Sequence, residues 1–336
     1  IAVDLLWILL AAVGARGLAM GLNRIIDRKV DADNPRTAGR HLASGSMSMR
    51  TAWSLCGVFL VMLLGSAAML NQVALLMSWL PVSVFVVYPF LKRYTWLCHF
   101  WLGLCLGLAP AGAWVAVAAD SLGWAAVTGG QWYPSVLFIA LGVALWIAAF
   151  DLNYARMDIE SDQANGIKSF PAQFGDAVTT RTSVQLTLGW FACFAISNPM
   201  SEIYFLASAG VMSVVNIMVI VRQEQWVDFQ TTLFRASMLT GWVLLAAILY
   251  VSTQFNMLNT IAPQVSGSAV IDDRTLQGEP LQVEAAIKAV DRVKSTIAMP
   301  VGEKGMQQLA CFIICTDPEA AVDEAKKMVV LDSVHK

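Results

Sequence analysis

Eight apolar runs of 15 to 23 residues, with bounds good to a few residues, predict membrane-crossing helices and limit what this chain can fold into. Crossing the roughly 30 Å hydrocarbon core of a bilayer takes about 20 apolar residues in an α-helix. The runs are residues 1–22, 51–70, 73–91, 96–118, 134–150, 183–197, 202–221 and 236–250. Only 14% of the residues are charged, against about 25% in a typical soluble domain. The sequence therefore predicts an all-α polytopic membrane protein, a bundle of about eight transmembrane helices.

Charge density separates the chain into two predicted domains. Residues 1–260 form the predicted transmembrane domain, and residues 261–336 form a small polar C-terminal extension. Within the extension, hydrophobic periodicity predicts helices over residues 281–297 and 318–328 and a short buried strand over 309–314. We expect this extension to be a small α/β or partly disordered domain, and its sequence indicates no chemistry.

The positive charges before residue 261 predict the orientation of the bundle. All fourteen lysines and arginines lie in, or at the edge of, the links on one side of the predicted membrane. Because positively charged loops stay in the cytoplasm, we expect that side to be cytoplasmic and the protein to be a multi-pass protein of the inner (plasma) membrane. The net charge of −2 is unlike that of a nucleic-acid-binding domain, so we expect the lipid bilayer, and no nucleic acid, as a partner.

Two acidic stretches follow apolar runs on this same side. In the first, Asn23, Asp27 and Asp31 are four residues apart, so on a continuing helix they form one stripe. In the second, residues 151–162, polar side chains again recur three and four residues apart. Carboxylates at a membrane boundary are costly unless a cation lies between them. We therefore expect the two stretches to converge on one cation-binding site that opens to the cytoplasm.

Magnesium is the cation that these side chains favour. Mg²⁺ prefers oxygen ligands in near-octahedral geometry and usually combines one or two carboxylates with substrate phosphates. A diphosphate would take the open positions, and nearby cationic side chains would neutralise its oxygens. The predicted metal ligands are Asp27, Asp31, Asp158 and Asp162, and the predicted substrate-binding cations are Arg16, Lys92, Arg93 and Lys168. His41 and His99 are isolated in the sequence, and we expect both to be interfacial residues.

Three other interpretations explain fewer of these features. Carboxylate–arginine pairs at solvated helix ends explain either acidic stretch alone, but not two stretches of matched spacing on one side. A CDP-alcohol phosphotransferase needs an Asp-Gly pair, which the sequence lacks. An intramembrane cation transporter needs carboxylates near the middle of its spans, whereas only Asp4 lies inside an apolar run, close to its end.

The two acidic stretches resemble the signatures of the UbiA superfamily of intramembrane aromatic prenyltransferases. The resemblance covers about residues 1–250 and is strongest to the 4-hydroxybenzoate polyprenyltransferase branch and its menaquinone-pathway relatives. The first signature is matched by Asn23, Asp27 and Asp31 with Asp33-Asn34-Pro35-Arg36-Thr37 and Arg40, and the second by Asp151, Tyr154, Asp158 and Asp162 with Gly166-Ile167-Lys168-Ser169 and Phe174-Gly175. The segment Tyr88-Pro-Phe-Leu-Lys92-Arg93 resembles the element between them.

This resemblance implies a polyprenyltransferase that moves a polyprenyl group from its diphosphate to a ring carbon of an aromatic hydroxy acid. The acceptor would be 4-hydroxybenzoate in ubiquinone biosynthesis or, alternatively, a dihydroxynaphthoate in menaquinone biosynthesis. Mg²⁺ would stabilise the departing diphosphate. Asp151 would accept the ring proton, and the ring of Tyr154 or Tyr88 would stabilise the allylic cation. Arg16, about two turns before Asn23 on the same helix, would bind the carboxylate of the acceptor.

The chain departs from the family pattern in three places. The family has nine transmembrane helices with its signatures after the second and sixth, whereas eight are predicted here with the signatures after the first and fifth. We therefore expect the first helix of the family to be missing from this sequence, which opens with Ile1 rather than methionine. The polar extension is a second departure. The third is Phe234-Arg-Ala-Ser237, where an aromatic residue and an asparagine are expected, and we assign it no role.

Overall fold

A computed structural model describes residues 2–197, 203–261, 270–271, 274–275, 293–301 and 308–315. The chain divides into two compact units, Ile1–Thr253 and Gln254–Lys336. The α-helices in the described residues are α1 (Ala2–Ile26), α2 (Arg28–Asp33), α3 (Met49–Leu70), α4 (Gln72–Met77), α5 (Trp79–Tyr94), α6 (Cys98–Leu122), α7 (Ala125–Thr128), α8 (Ser135–Tyr154), α9 (Ile159–Ala164), α10 (Phe170–Ser197), α11 (Ile203–Val221) and α12 (Phe229–Ile261). Short 3₁₀ turns cover Ala155–Asp158 and Gln223–Gln225.

The predicted helical membrane bundle is confirmed. Within the described part of the chain, seven helical segments are long and apolar enough to cross a membrane. They are Val3–Ile26, Met49–Leu70, Gln72–Tyr94, Cys98–Leu122, Ser135–Ala164, Ile203–Val221 and Phe229–Tyr250. The remaining predicted span, residues 183–197, lies within α10, which is not among these seven but packs along α8. The backbone of α10 is broken at Gly175 (φ 76°, ψ 175°), and the predicted span lies entirely after this break.

Two segments that the sequence pattern treats as continuous helices are broken. The predicted span 73–91 consists of α4 and α5, with Ser78 between them. In the first acidic stretch, α1 ends just before Asp27, which has φ −90° and ψ 3°. The amide of Asp27 still donates to the carbonyl of Asn23 (2.9 Å), and that of Asp31 donates to the carbonyl of Asp27 (2.8 Å). The helical hydrogen-bond spacing of Asn23, Asp27 and Asp31 is therefore kept, although α1 ends and α2 begins at Asp27.

Glycines allow α6 and α8 to pack very closely. A Cβ added to Gly103 would lie 2.3 Å from the carbonyl oxygen of Ala144, and one added to Gly107 would lie 2.7 Å from that of Ala140. No larger residue fits at either position without separating the helices. Small residues at such contacts let membrane helices gain packing energy and approach backbone to backbone. This antiparallel contact places the first turn of α6 beside the last turns of α8, where the second acidic stretch begins.

Aromatic packing holds the last three long helices together. Trp190 and Phe194 of α10, Phe205 and Met212 of α11, and Leu244 of α12 form one buried cluster. Trp190 is fully buried, and its ring lies 5.5 Å from that of Phe194. Dispersion contacts of this kind are individually small and collectively large, so the cluster fixes α10 and α12 around α8.

Beyond the end of α12, the described residues of the second unit form two antiparallel strand pairs. β1 (Val270–Ile271) pairs with β2 (Arg274–Thr275), and β3 (Val293–Val301) pairs with β4 (Gln308–Cys315). The predicted strand 309–314 lies in β4. The predicted helix 281–297 is wrong over its last five residues, because the backbone there pairs with β4 as a strand and this long-range pairing overrides a short helical period. The rest of that helix and the predicted helix 318–328 lie outside the described residues.

Candidate active site

Asp27 lies at the junction of α1 and α2 with only 2% of its surface exposed. Its Oδ2 accepts a hydrogen bond from the ammonium group of Lys92, at the end of α5. The guanidinium of Arg93 is 3.8 Å from Oδ1 and donates to the carbonyl oxygen of Ile26 (2.9 Å). Burial raises the pKa of Asp27, and the charge of Lys92 opposes that shift. Both predicted cations of α5 thus meet the first acidic stretch.

Asp31, one turn further along, is also buried and faces two arginines. Its Oδ1 accepts from Nη1 of Arg40 at 2.6 Å, and its Oδ2 lies 3.7 Å from Nη1 of Arg24. The carbonyl oxygen of Asp31 accepts from the hydroxyl of Thr37 (2.9 Å), which folds the segment after α2 back over that helix. Sequence reasoning placed Arg40 in the first signature but gave it no role.

The two acidic stretches meet at Asp158, in the 3₁₀ turn after α8. The side-chain amide of Asn34 donates to Oδ1 of Asp158 at 2.8 Å. Nε of Arg36 donates to the same oxygen at 2.8 Å, and its Nη2 donates to Oδ2. Burial opposes the charge on Arg36, but its bonds to Asp158 raise the pKa of the guanidinium overall. Residues more than 120 positions apart are thereby joined into one site.

Arg36 also holds Tyr154. Its Nη1 donates to the phenol oxygen at 2.6 Å, and its guanidinium carbon is 4.8 Å from the centre of the ring. Phe150 stacks on Tyr154 at 6.0 Å, and Phe234 contacts it edge-on at 5.5 Å. The site thus includes Phe234, the departure from the family pattern to which the sequence assigned no role.

Arg156 anchors the turn that carries Asp158. Its Nη1 donates to Oδ1 of Asp176 (2.8 Å), and its Nη2 donates to the hydroxyl of Thr180 (2.7 Å), both on α10. The side chain of Arg156 is 5% exposed and also bonds Gln223, in the turn after α11. Three partners on two elements, α10 and the turn after α11, therefore fix the chain two residues before Asp158.

Asp151, at the end of α8, pairs with His99 of α6. Nδ1 of His99 is 2.7 Å from Oδ2 of Asp151, and its Nε2 accepts from the backbone amide of Phe170 at 3.0 Å. The prediction that His99 is an isolated interfacial residue is wrong, because its side chain is almost fully buried between α8 and the segment before α10. Its position inside a predicted apolar span was the available signal, since polar residues there are usually functional.

The segment after α9 brings the last predicted residues toward the site. The backbone amide of Lys168 donates to the carbonyl oxygen of Lys92 at 2.7 Å. The side chain of Lys168 is exposed and makes no polar contact within the described residues. Asp162 is partly exposed, and Asp158, Lys92 and His99 all lie within electrostatic range of its carboxylate. Ser169 is buried, and its hydroxyl interacts with the carboxylate of Asp162.

The three remaining predicted site residues are Arg16, Asn23 and Tyr88. Arg16 lies on an exposed face of α1, and its side chain makes no polar contact in the described part of the chain. Asn23 is partly buried on α1, and its backbone carbonyl accepts the amide of Asp27. Tyr88 packs against the cluster of Val84 and Cys105, one turn before Lys92. The structure therefore does not bring Arg16 to the carboxylates.

The donor chemistry of the site suits a hard divalent cation. Asp27 Oδ1 is buried without a hydrogen-bond partner among the described residues, and oxygen atoms of this kind are Mg²⁺ ligands. The same described residues contain no group of three or more His, Cys, Asp or Glu side chains that could hold a metal as they stand. Instead, Lys92, Arg40 and Arg36 neutralise Asp27, Asp31 and Asp158 respectively, and they leave no carboxylate of the three without a positive partner.

An apolar cavity of about 540 Å³ lies deeper in the bundle. Its lining includes Ile8, Leu63, Phe85, Cys105, Trp132 and Ala144. Phe85 precedes Lys92 by seven residues on α5, and Ala144 precedes Asp151 by seven on α8. Seven residues are about 10 Å of helix, so the cavity begins roughly two turns from the charged groups.

The fold and the site define the class of protein. It is a polytopic helical membrane protein in which two acidic motifs meet near an apolar cavity. Residues 2–238 match the UbiA prenyltransferase family, and the chain belongs to that family. Its fold is similar to that of a UbiA homologue from Aeropyrum pernix K1 in the apo form, with a TM-score of 0.64, 31% identity, and coverage of 74% of this chain and 90% of that chain. It is also similar to a UbiA homologue from Archaeoglobus fulgidus bound to GPP and Mg²⁺, with a TM-score of 0.53, 21% identity, and coverage of 74% and 88%.

Curated relatives share a narrower description. A 4-hydroxybenzoate octaprenyltransferase from Aliivibrio fischeri is 34% identical over 166 residues, which are 49% of this chain and 54% of the relative. A protein of the same description from Pseudomonas aeruginosa is 33% identical over 174 residues, which are 52% and 55%. The chain thus spans about half the length of the curated relatives it matches.

Proposed function

We propose that the protein transfers a polyprenyl group from polyprenyl diphosphate to a ring carbon of 4-hydroxybenzoate in an Mg²⁺-dependent reaction, a step of ubiquinone biosynthesis. The observation that carries the proposal is the junction of the two acidic motifs, in which Asn34 and Arg36 of the first bond Asp158 of the second. A site for a bridging diphosphate needs carboxylates and cations from both motifs in one place. Membership of the UbiA family and the descriptions of the curated relatives support the reaction class.

The carboxylates that would hold Mg²⁺ are Asp27, Asp31, Asp158 and Asp162. Bound Mg²⁺ would stabilise the negative charge that grows on the diphosphate as the allylic C–O bond breaks. Lys92, Arg36 and Arg40 already pair with three of these carboxylates. When a cation neutralises the carboxylates, the same side chains become available to donate to phosphate oxygens. A UbiA homologue from Archaeoglobus fulgidus is bound to GPP and Mg²⁺, which favours Mg²⁺ as the cation of the proposed reaction.

The apolar cavity is the proposed site of the polyprenyl chain. Its lining is aliphatic and aromatic, and it begins about two turns from the carboxylates along α5 and α8. A diphosphate held among the charged groups would therefore place the first isoprene units at the mouth of this cavity. Tyr88 packs between the two regions, and its ring or that of Tyr154 would stabilise the allylic cation.

The chemical step exchanges one bond for another. The allylic C–O bond breaks and its electron pair leaves with the diphosphate, while the ring carbon beside the phenol bonds to the allylic carbon. The proton of that ring carbon must then leave, and we assign its acceptance to the carboxylate of Asp151. The carboxylate of the aromatic acid is assigned to Arg16, whose guanidinium matches it in a two-point contact.

Dihydroxynaphthoate, the acceptor of menaquinone biosynthesis, is the alternative substrate. The curated relatives favour 4-hydroxybenzoate, because those matched at about 34% identity are 4-hydroxybenzoate octaprenyltransferases. The seven apolar helices support a lipid environment. We further propose that the site faces the cytoplasm from the inner membrane, since both acidic motifs lie on the side of the bundle that carries the lysines and arginines.

Membranes that contain the expressed protein test this proposal directly. They would be incubated with labelled polyprenyl diphosphate and either 4-hydroxybenzoate or dihydroxynaphthoate, with Mg²⁺ or with excess EDTA. We expect a labelled prenyl-4-hydroxybenzoate with Mg²⁺ and none with EDTA. Membranes with the Asp158→Ala variant at equal protein level are the control. Labelled product in EDTA would refute the metal requirement, and no product from either acceptor would refute the reaction.

A further inference from the structure

His99 is a buried polar residue that lies outside both acidic motifs. It occupies the first turn of α6 with 4% of its surface exposed, and both of its ring nitrogens are hydrogen-bonded. We propose that His99 is a positioning residue, which orients Asp151 for proton acceptance and fixes residues 168–170 against the site. The first half of this role rests on the proposed function, whereas the second half does not.

The two contacts of His99 determine which nitrogen carries the proton. A backbone amide only donates, so the Nε2 that accepts from Phe170 must be unprotonated. The proton then lies on Nδ1 and is donated to Oδ2 of Asp151. Because both nitrogens are engaged, this neutral tautomer has no free lone pair for a proton from Asp151 or from substrate. His99 therefore orients the carboxylate and does not relay protons.

The bond from His99 leaves one oxygen of Asp151 available. Oδ2 is occupied, whereas Oδ1 has no hydrogen-bond partner within the described residues. The side chain is 15% exposed, so the carboxylate is accessible. A fixed Oδ2 sets the rotation of the carboxylate and hence the direction in which Oδ1 presents its lone pairs. Preorganisation of this kind removes the need to reorient the acceptor as the proton is transferred.

The same imidazole anchors the segment between α9 and α10. The amide of Phe170 donates to His99, and two residues earlier the amide of Lys168 donates to the carbonyl of Lys92. The ring of Phe170 lies 5.5 Å from that of Trp96 in an edge-on contact. Without His99, the amide of Phe170 would be buried and unsatisfied, which favours displacement of the segment. His99 therefore connects α8 to the segment that also bonds the lysine at the end of α5.

Substitutions at this position separate positioning from packing. Glutamine presents an amide oxygen that accepts from the Phe170 amide and an N–H that donates to Asp151, so His99→Gln retains both contacts. Leucine fills a similar volume and makes neither contact. Cys56 of α3 is equally buried, at 4% exposed, and lies in a separate cluster, so Cys56→Ala is the control for lost packing.

Steady-state kinetics of the full chain in lipid nanodiscs are the first test. We expect His99→Leu to lower kcat for prenyl transfer at least tenfold while the KM for the prenyl diphosphate stays within about twofold. We expect His99→Gln to keep kcat within about threefold, and Cys56→Ala to resemble the unsubstituted protein. An unchanged kcat in His99→Leu would overturn the proposal, as would a His99→Gln variant as impaired as His99→Leu.

Hydrogen–deuterium exchange is the second test and needs no activity. The amide of Phe170 should exchange at least tenfold faster in His99→Leu than in the unsubstituted protein, and not in His99→Gln. Equal protection in all three proteins would overturn the anchoring role. If His99→Leu does not reach the membrane, His99→Asn replaces it, since its shorter amide does not span both partners. If the unsubstituted protein transfers no prenyl group, the proposed function fails, whereas the exchange result still decides the anchoring role.

Discussion

Removing the ion pair between Arg36 and Asp158 tests whether the two acidic motifs are joined as the structure describes. Nε and Nη2 of Arg36 each donate to one oxygen of Asp158, a two-point contact that fixes both side chains. Arg36→Met keeps an apolar stem and removes the donors, and Asp158→Asn keeps the shape and removes the charge. A double-mutant cycle isolates the pairwise free energy from the other effects of each substitution.

The solvent exposure of Arg36 and Asp158 determines how large a coupling free energy we expect between them. Two unit charges about 4 Å apart attract by roughly 4 kcal/mol at an effective dielectric constant near 20. Arg36 and Asp158 are 25% and 13% exposed, so solvent screening and desolvation reduce this attraction. We expect a coupling free energy of about 2 kcal/mol, which corresponds to about a 30-fold change in the folding equilibrium.

Reversible unfolding of the purified protein in detergent with EDTA measures this coupling. We expect the coupling to fall when Mg²⁺ and inorganic diphosphate are added, because Asp158 would then ligate the metal. The hydrogen bond between Asn216 of α11 and Thr240 of α12 (2.7 Å) supplies a control, since neither residue is a predicted metal ligand or holds the turn of Asp158, and their coupling should not respond. A coupling below about 0.5 kcal/mol in EDTA would refute the junction, and one that ignores Mg²⁺ would refute the assignment of Asp158 as a ligand.

Two substitutions and one deletion test other parts of the site. Asp27→Ala should lower prenyl transfer at least a hundredfold at normal membrane levels, because it removes a buried candidate ligand and leaves Lys92 unpaired; near-normal turnover at saturating Mg²⁺ would contradict the two-motif site. Arg16→Ala should raise the KM of the aromatic acceptor about tenfold, or about 1.4 kcal/mol, with the donor KM unchanged, and a donor-selective defect would reassign Arg16 to the diphosphate. Deleting residues after 261 should leave transfer unchanged, because the candidate ligands lie in the first unit; complete loss of transfer at normal membrane levels would assign the second unit a part in the reaction.

The sequence alone determined the class of fold and the identity of the charged groups. Apolar runs near 20 residues have few stable solutions other than membrane helices, since the backbone must satisfy its own hydrogen bonds in lipid. The four-residue spacing of Asn23, Asp27 and Asp31 is local, and backbone hydrogen bonds preserve it across the helix break. Local chemistry of this kind is readable in a sequence because it depends on neighbours in the chain.

Only the tertiary structure decided which charges meet. Arg36 contacts Asp158 across 122 residues, and His99 contacts Asp151 across 52, and no spacing rule encodes either distance. The sequence predicts His99 to be an isolated interfacial residue, because a lone histidine in an apolar run has no partner nearby in the chain. The close packing of α6 on α8, which Gly103 and other glycines permit, supplies that partner. Pairing between distant residues is a property of how the helices pack, and the pattern within each helix does not contain it.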